Sequence, residues 1–390
     1  MPEPHDTLAL FAVTAPGLEP LCAAELRAMG IIGVAEPGGV AWTGTREDLY
    51  AANLRLRTAS RVLVRVGQFQ ARSFIELERH ARKLPWERWV QPGGAVRLRV
   101  TSKKSKLYHE GAIAQRLLGW IGERVGGLGA SVAAKGAAEE DEETTAGQLF
   151  VVRVVRDGFT VSADASGALL HLRGYRQAVA KAPLRETLAA AMLLGCGWDG
   201  STPLVDPMCG SGTLPIEAAM IARRIAPGLA DARRDPRRYA FQDWPDFDAA
   251  AWDAVVAAAQ EEILTMADVD ILGSDRDAGA IEAAHANAER AGVADDVEFS
   301  VRALSAIEPP AGPGLLISNP PYGVRVGETD ALRNLYAALG RAAREQAPDW
   351  TVALLSADVK LEGQVGASFR EIFRTSNGGI PVHLVAGEVR

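Results

Sequence analysis

The chain has little of what several large protein classes depend on. Its three cysteines, Cys22, Cys196 and Cys209, form no Cys-x-x-Cys pair, which excludes a disulfide framework or a zinc knuckle as the organising device. The six histidines show no metal-ligand spacing, so no metal is expected. There is no run of about 18 apolar residues that would cross a bilayer. The opening "MPEPHDTLAL" lacks the basic start and apolar stretch of a secretory signal, and the expected location is the cytoplasm, with no membrane partner. Positive charge is also short: the net charge is -7. That balance argues against a protein that coats nucleic acid indiscriminately, because the non-specific phosphate term needs a broad positive surface.

What is present is apolar material, 48% of 390 residues, enough for a large core spread over two or three domains. Charge is unevenly placed. Six basic residues, Arg97, Arg99, Lys103, Lys104, Lys106 and Arg116, share a short stretch with one acid, Glu110. A second cluster, Arg223, Arg224, Arg233, Arg234, Arg237 and Arg238, brackets Asp231 and Asp235. The acidic block Glu139 to Glu143 reads as a solvated loop between two halves.

From about Tyr175 onward strands and helices alternate: "PLVDP", "TLPIEAAMIARRI", "VDILGSD", "DAGAIEAAHANAERAG", "VEFSVRAL", "GLLISNPP", a helix near 331–346, "WTVALLS", then strands around "FRTSNGG" and "PVHLVAG". This predicts a doubly wound α/β domain with a largely parallel sheet. The first half has shorter elements, with strands in "LALFAVTAP", "GVAWTG", "RVLVRVGQFQ" and "AVRLRVTSKKS" and helices in "LEPLCAAELRAMG" and "FIELERHARKL". It predicts two small α+β sheets with helices on one face.

Chemistry-bearing residues gather at three strand ends. The stretch "LVDPMCGSGTLPIEAAM" runs a short strand into Asp206, turns on Gly210, Ser211 and Gly212, and starts a helix. Ligands of open α/β sheets bind where strands end and strand order reverses, and glycines let the backbone approach them closely. A plain strand-to-helix turn uses the same residues. The next strand ends in Asp275, which suits the two hydroxyls of a ribose or, equally, a cap for the helix near Ala278.

The third strand end separates these readings. "LLISNPPYG" puts Asn319, Pro320, Pro321 and Tyr322 directly after an apolar strand, where a plain turn rarely spends two prolines and an aromatic. The pattern suits methylation of an exocyclic amino group on a planar base. That nitrogen is a poor nucleophile because its lone pair is delocalised into the ring. The Asn319 oxygen and the Pro320 carbonyl accept its two hydrogens and aim the lone pair at a sulfonium methyl, while Tyr322 stacks on the base. No strong base is needed, because the nitrogen becomes acidic as it gains the methyl; positioning and electrostatics carry the rate. Cys209 has no base-like partner and reads as a packed side chain.

"DPMCGSGT" with "SNPPYG" resembles the class I S-adenosylmethionine-dependent methyltransferases, specifically the THUMP-containing guanine-N2 methyltransferases of bacterial 23S ribosomal RNA. The likeness extends through "FAVTAPGLEPLCAAELRAMG", "TSKKSKLYHEGAIAQRL" and "LHLRGYRQAVAKAPLRETLAAAMLLGCGW". It implies a ferredoxin-like domain over 1–65, a THUMP domain over 66–170 and a Rossmann-like methyltransferase domain over 171–390. It also implies S-adenosylmethionine contacts from Asp206, Pro207, Gly210, Ser211, Gly212, Thr213 and Asp275, and a target-amino site of Asn319, Pro320, Pro321 and Tyr322. The partner is then 23S ribosomal RNA or its ribosomal precursor, and one modification is expected from one methyltransferase domain. Where relatives carry an acid for the adenine amino group, this chain has Ala303, which leaves that contact to backbone or Ser305.

Lys103, Lys104, Lys106 and Tyr108, with His109, combine phosphate and stacking contacts and are expected to bind RNA; from charge alone they also fit a solvated strand end. Arg173 and Arg176, beside Tyr175, fit either an RNA grip or an interdomain hydrogen-bond network. Rival functions are the same chemistry on transfer RNA guanosine or on adenine-N6, and a non-enzymatic RNA-binding assembly factor. A nicotinamide dehydrogenase is disfavoured, because Pro215 stands where the third fingerprint glycine belongs.

Overall fold

The computed structural model describes residues 7–134, 147–177, 184–230, 237–322 and 329–389. Glu139 to Glu143, Asp231, Arg233, Arg234, Asp235 and Gly323 lie outside them.

The first half contains β1 (Leu8–Thr14), α1 (Glu19–Ala28), β2 (Val34–Glu36), β3 (Gly39–Gly44), α2 (Arg46–Arg55), β4 (Ala59–Gln70), α3 (Phe74–Ala81), β5 (Val96–Lys103), α4 (Glu110–Val125), β6 (Val132–Ala134), β7 (Gln148–Val155) and β8 (Gly158–Asp164). Alternation sets the sheet's inner face: Leu8, Leu10 and Ala12 of β1, Val96, Leu98 and Val100 of β5, and Phe150, Val152 and Val154 of β7 are buried. All belong to one core, onto which the helices pack.

The expectation of two small sheets is corrected here. All eight strands form one sheet in the order β2-β3-β1-β4-β8-β7-β5-β6. The joining strand is β4, 12 residues long, whose first part pairs with β1 on one edge while Leu63–Gln70 pair with β8 on the other. The expected boundary at residue 65 therefore falls inside a strand. A bulge between Arg65 and Gly67 re-aims β4 at that point.

The second half contains α5 (Glu186–Gly195), β9 (Leu204–Asp206), α6 (Thr213–Ala222), α7 (Ala249–Glu261), β10 (Ile271–Asp275), α8 (Ala278–Ala291), β11 (Glu298–Val301), β12 (Leu315–Ser318), α9 (Thr329–Gln346), β13 (Thr351–Ser356), α10 (Val359–Val365), β14 (Arg370–Asn377) and β15 (Ile380–Glu388). Its sheet runs β11-β10-β9-β12-β13-β15-β14, parallel except for β15, which is antiparallel to both its neighbours. Strand order reverses between β9 and β12. Their ends carry Asp206 and Ser318, with Asp275 one strand further on, so the topology brings the three sequence signals to one crevice.

Candidate active site

The β9 loop is held from three sides. Asp206 is 2% exposed, and its Oδ1 accepts from the Met208 amide at 3.1 Å and from the Ser318 hydroxyl at 2.8 Å, which ties β9 to β12. Burial pushes its carboxyl up to about 7, and Asp275 adds to the rise, against the Ser318 and Met208 hydrogen bonds. From β10, Asp275 Oδ2 accepts from the Gly210 amide at 3.1 Å and Oδ1 from the Asp277 amide at 3.0 Å. From α8, the buried Asn287 donates to the Ser211 carbonyl at 2.9 Å.

The helix-cap alternative for Asp275 is corrected by this geometry. The cap of α8 is Asp277, whose side chain accepts from Gly279. Gly210 and Gly212 have φ of 53° and 85°, the left-handed region that favours glycine. At Gly212 a Cβ would also lie 2.9 Å from Phe299 and 3.0 Å from Ala284. Cys209 is buried, which pushes its thiol far above the usual range and suits a packed residue.

These residues fit S-adenosylmethionine. The N-terminus of α6 begins at Gly212 with no side-chain cap, so its amides suit the carboxylate of the cofactor. Asp275, only half-buried, places a carboxylate at the strand tip that suits ribose hydroxyls. Ala303 and Ser305 are exposed beyond β11, where the Arg302 amide donates to the Asp275 carbonyl at 2.9 Å.

At the end of β12, Pro320 is buried while Asn319 and Tyr322 are partly exposed. The Tyr322 hydroxyl donates to Asn319 Oδ1, and the Asn377 amide, from the tip of the β14–β15 hairpin, donates to the Tyr322 oxygen at 3.5 Å. Burial raises the Tyr322 hydroxyl above its usual range, so it stays protonated. Ser318, Asn287 and Asn377 were not singled out in the sequence. A small polar residue closing an apolar strand was the one available signal, for Ser318.

The basic stretch divides. Arg97 is 7% exposed, and the Arg116 guanidinium lies 4.2 Å over the Phe74 ring. Lys103, at the end of β5, and Lys104, Lys106, Tyr108 and His109, on the β5–α4 loop, are exposed. That loop is pinned by its backbone: Asp157 accepts from the Lys106 amide at 2.7 Å, and Glu110 accepts from the Ser102 amide at 2.8 Å. Arg156 adjoins it, its amide donating to the Lys103 carbonyl at 3.1 Å, and its side chain is exposed.

An RNA-facing role for Arg173 is corrected. The Arg173 side chain is 1% exposed and donates to the carbonyls of Leu170 at 2.6 Å and Arg57 at 2.8 Å and to Glu217 at 3.4 Å. Tyr175 is buried and donates to the same Glu217 oxygen at 3.2 Å. Arg176 binds the Leu184 carbonyl and Glu186, a carboxyl that burial pushes up to about 7. The Arg173 guanidinium, buried and engaged in this way, has no free face for a phosphate, whereas Arg176 is partly exposed. In the second arginine cluster, Arg223 and Arg237 likewise bond to carbonyls within the protein.

Among the described residues no group of three or more His, Cys, Asp or Glu is placed to hold a metal ion, and no helix is long and apolar enough to cross a membrane.

Known proteins resemble the chain along its length. A family profile described as "RMKL-like, methyltransferase domain" matches residues 173–386, and one for the RlmL ferredoxin-like domain matches residues 9–63. A Synechocystis protein named as a candidate RNA methyltransferase is 33% identical over 384 residues, covering 98% of this chain and 97% of its own. The ribosomal RNA large subunit methyltransferase K/L of Syntrophotalea carbinolica is 35% identical over 97% of this chain. The chain spans about half of that relative, 53%. Among solved structures, SMU.472, described as a candidate methyltransferase complexed with SAH, is 31% identical with a TM-score of 0.85 and 99% of each chain covered. A Listeria monocytogenes structure, described as a predicted N6-adenine-specific DNA methylase, is 31% identical with a TM-score of 0.83, covering 97% of this chain and 96% of its own. The chain belongs to the RMKL-like methyltransferase family, enzymes of the class I fold that use S-adenosylmethionine.

Proposed function

We propose that the protein methylates the exocyclic N2 amino group of a guanosine in 23S ribosomal RNA. The observation that carries this reading is the junction of Asn319-Pro320-Pro321-Tyr322 with the β9 loop through the Ser318–Asp206 hydrogen bond. When bound, S-adenosylmethionine supplies an electrophilic sulfonium methyl. Asp206, Pro207, Gly210, Ser211, Gly212, Thr213 and Asp275 are the residues proposed to hold it.

On the opposite side, the target amino group donates to Asn319 Oδ1 and to the Pro320 carbonyl, which localises the nitrogen lone pair. With S-adenosylmethionine bound, transfer would break the methyl–sulfur bond and leave S-adenosylhomocysteine, and the methylated nitrogen, now acidic, would lose its proton to water. The base is flipped out to reach this crevice, because an amino group in a stacked pair is shielded; the Tyr322 ring then provides its stacking face. RNA as the partner is supported by the exposed Lys103, Lys104, Lys106 and Tyr108 and by the names of the Synechocystis and Syntrophotalea relatives. A second reading, adenine-N6 as the target, is favoured by the description of the Listeria relative.

The test is transfer of labelled methyl to deproteinised 23S ribosomal RNA under single-turnover conditions. Asn319→Ala should lower the rate roughly 100-fold or more, the loss typical of removing one preorganised polar partner, with cofactor affinity unchanged. A full rate in that variant contradicts the role given to Asn319.

A further inference from the structure

We propose that the Tyr322 hydroxyl and the Asn377 side chain are positioning residues that fix the Asn319 amide with its oxygen, not its nitrogen, toward the target amino group. This rests on the amino-group reading above. A side-chain amide has nearly the same shape whichever way it is turned, but one end accepts and the other donates. If Asn319 turned its nitrogen to the substrate, two donors would meet and the lone pair would not be localised.

The hydrogen bonds run in one consistent direction, from Asn377 through Tyr322 to Asn319. Asn377 Nδ2 can only donate, and it lies 3.5 Å from the Tyr322 oxygen. It takes up a lone pair there and leaves the phenol proton to be donated onward. That proton goes to Asn319, so the end of Asn319 at this point is Oδ1. A carbonyl oxygen has two lone pairs; Tyr322 engages one and the second is left for the base. The phenol, whose partial burial keeps its hydroxyl above the usual range, stays protonated and therefore remains a donor.

Asn377 is itself fixed by its turn. Gly378 and Gly379 have φ of 55° and 81°, the two positive values of a two-residue hairpin turn, and Asn377 pairs with Ile380 across it. The antiparallel hairpin appended to the parallel sheet thus contributes a residue to the site. The hydroxyl of Tyr322 has a task separate from that of its ring, which phenylalanine would match in stacking.

The experiment uses the full chain with Tyr322→Phe, Asn377→Ala and the double variant. Tyr322→Phe should lower the single-turnover rate roughly 3- to 10-fold, the effect of one neutral hydrogen bond, with KM for RNA and affinity for S-adenosylhomocysteine unchanged. Asn377→Ala should cause a smaller loss alone and no further loss in the Tyr322→Phe background. Independently of activity, the side-chain amide signals of Asn319 and Asn377 in asparagine-15N-labelled protein, assigned with Asn319→Ala and Asn377→Ala, should both shift in Tyr322→Phe. A wild-type rate in Tyr322→Phe, additive losses in the double variant, or unmoved amide signals would overturn the proposal. Wild-type protein that methylates no RNA amino group would overturn the parent reading instead, and the amide signals would still decide the relay.

Discussion

Asp206 illustrates how a single side chain combines fold and function. It sits fully enclosed between β9 and β12 with only neutral donors around it, so its ionised form is disfavoured in the folded protein. The sign follows from proton counting. Between the ordinary aspartate value and about 7 the folded protein holds a proton that the unfolded chain has lost, so stability falls as pH rises across that window. The expected loss is up to roughly 4 kcal/mol. Urea unfolding of the cofactor-free protein at pH 5, 6 and 7 should show the decline, and Asp206→Asn should flatten it; an unchanged slope in that variant removes Asp206 as the cause. The residues legible in the sequence, Gly210, Gly212, Asp275 and the Asn319 to Tyr322 motif, carry local signals of turn geometry and strand-end chemistry. Ser318, Asn287 and Asn377 act across 112, 76 and 55 residues of chain, a partnership no local pattern encodes.

Among the elements, the β5–α4 loop carries the exposed part of the RNA argument. Its backbone is pinned by Asp157 and Glu110 while its lysines remain in solvent, so replacing them removes charge with little effect on the fold. Lys103, Lys104 and Lys106 changed together to Ala should weaken RNA binding and reduce the salt slope by roughly 0.7 for each phosphate no longer neutralised, with cofactor affinity constant. An unchanged slope by filter binding across a salt series would mark the loop as solvated surface only. The alternating strands and the amphipathic helices were readable because period fixes face. The merging of two sheets through β4 was not, because a half-exposed alternating strand looks the same whether one or both of its edges are paired. The helix α7 also escaped notice. Its sequence, "AAAWDAVVAAAQE", has no strongly polar stripe to set against an apolar one.

The whole molecule is bound together by contacts that reach between its halves. Tyr239, Phe241 and Trp244, which follow α6 in the chain, lie in the core of the first half, with Phe241 4.6 Å from Tyr50 between ring centroids. The buried Arg173–Glu217 pair closes the same junction, and sequence left it open because a basic residue beside a tyrosine fits an RNA grip as well as a core network. Arg173→Ala leaves the buried Glu217 carboxyl without its ion-pair partner, with only the Tyr175 hydroxyl donating to it, and should cost about 3 to 5 kcal/mol of stability, while the salt slope of RNA binding in the remaining folded protein stays unchanged. A variant as stable as the parent but weaker on RNA would restore Arg173 to the RNA surface. The overall charge of -7 disfavours a broad RNA-coating surface, and in the proposed reading the base is chosen at the β12 end. Nucleoside mass spectrometry of 23S ribosomal RNA, methylated in vitro with isotopically labelled S-adenosylmethionine, identifies that base. Labelled N2-methylguanosine is predicted; labelled N6-methyladenosine in its place would contradict the guanine assignment.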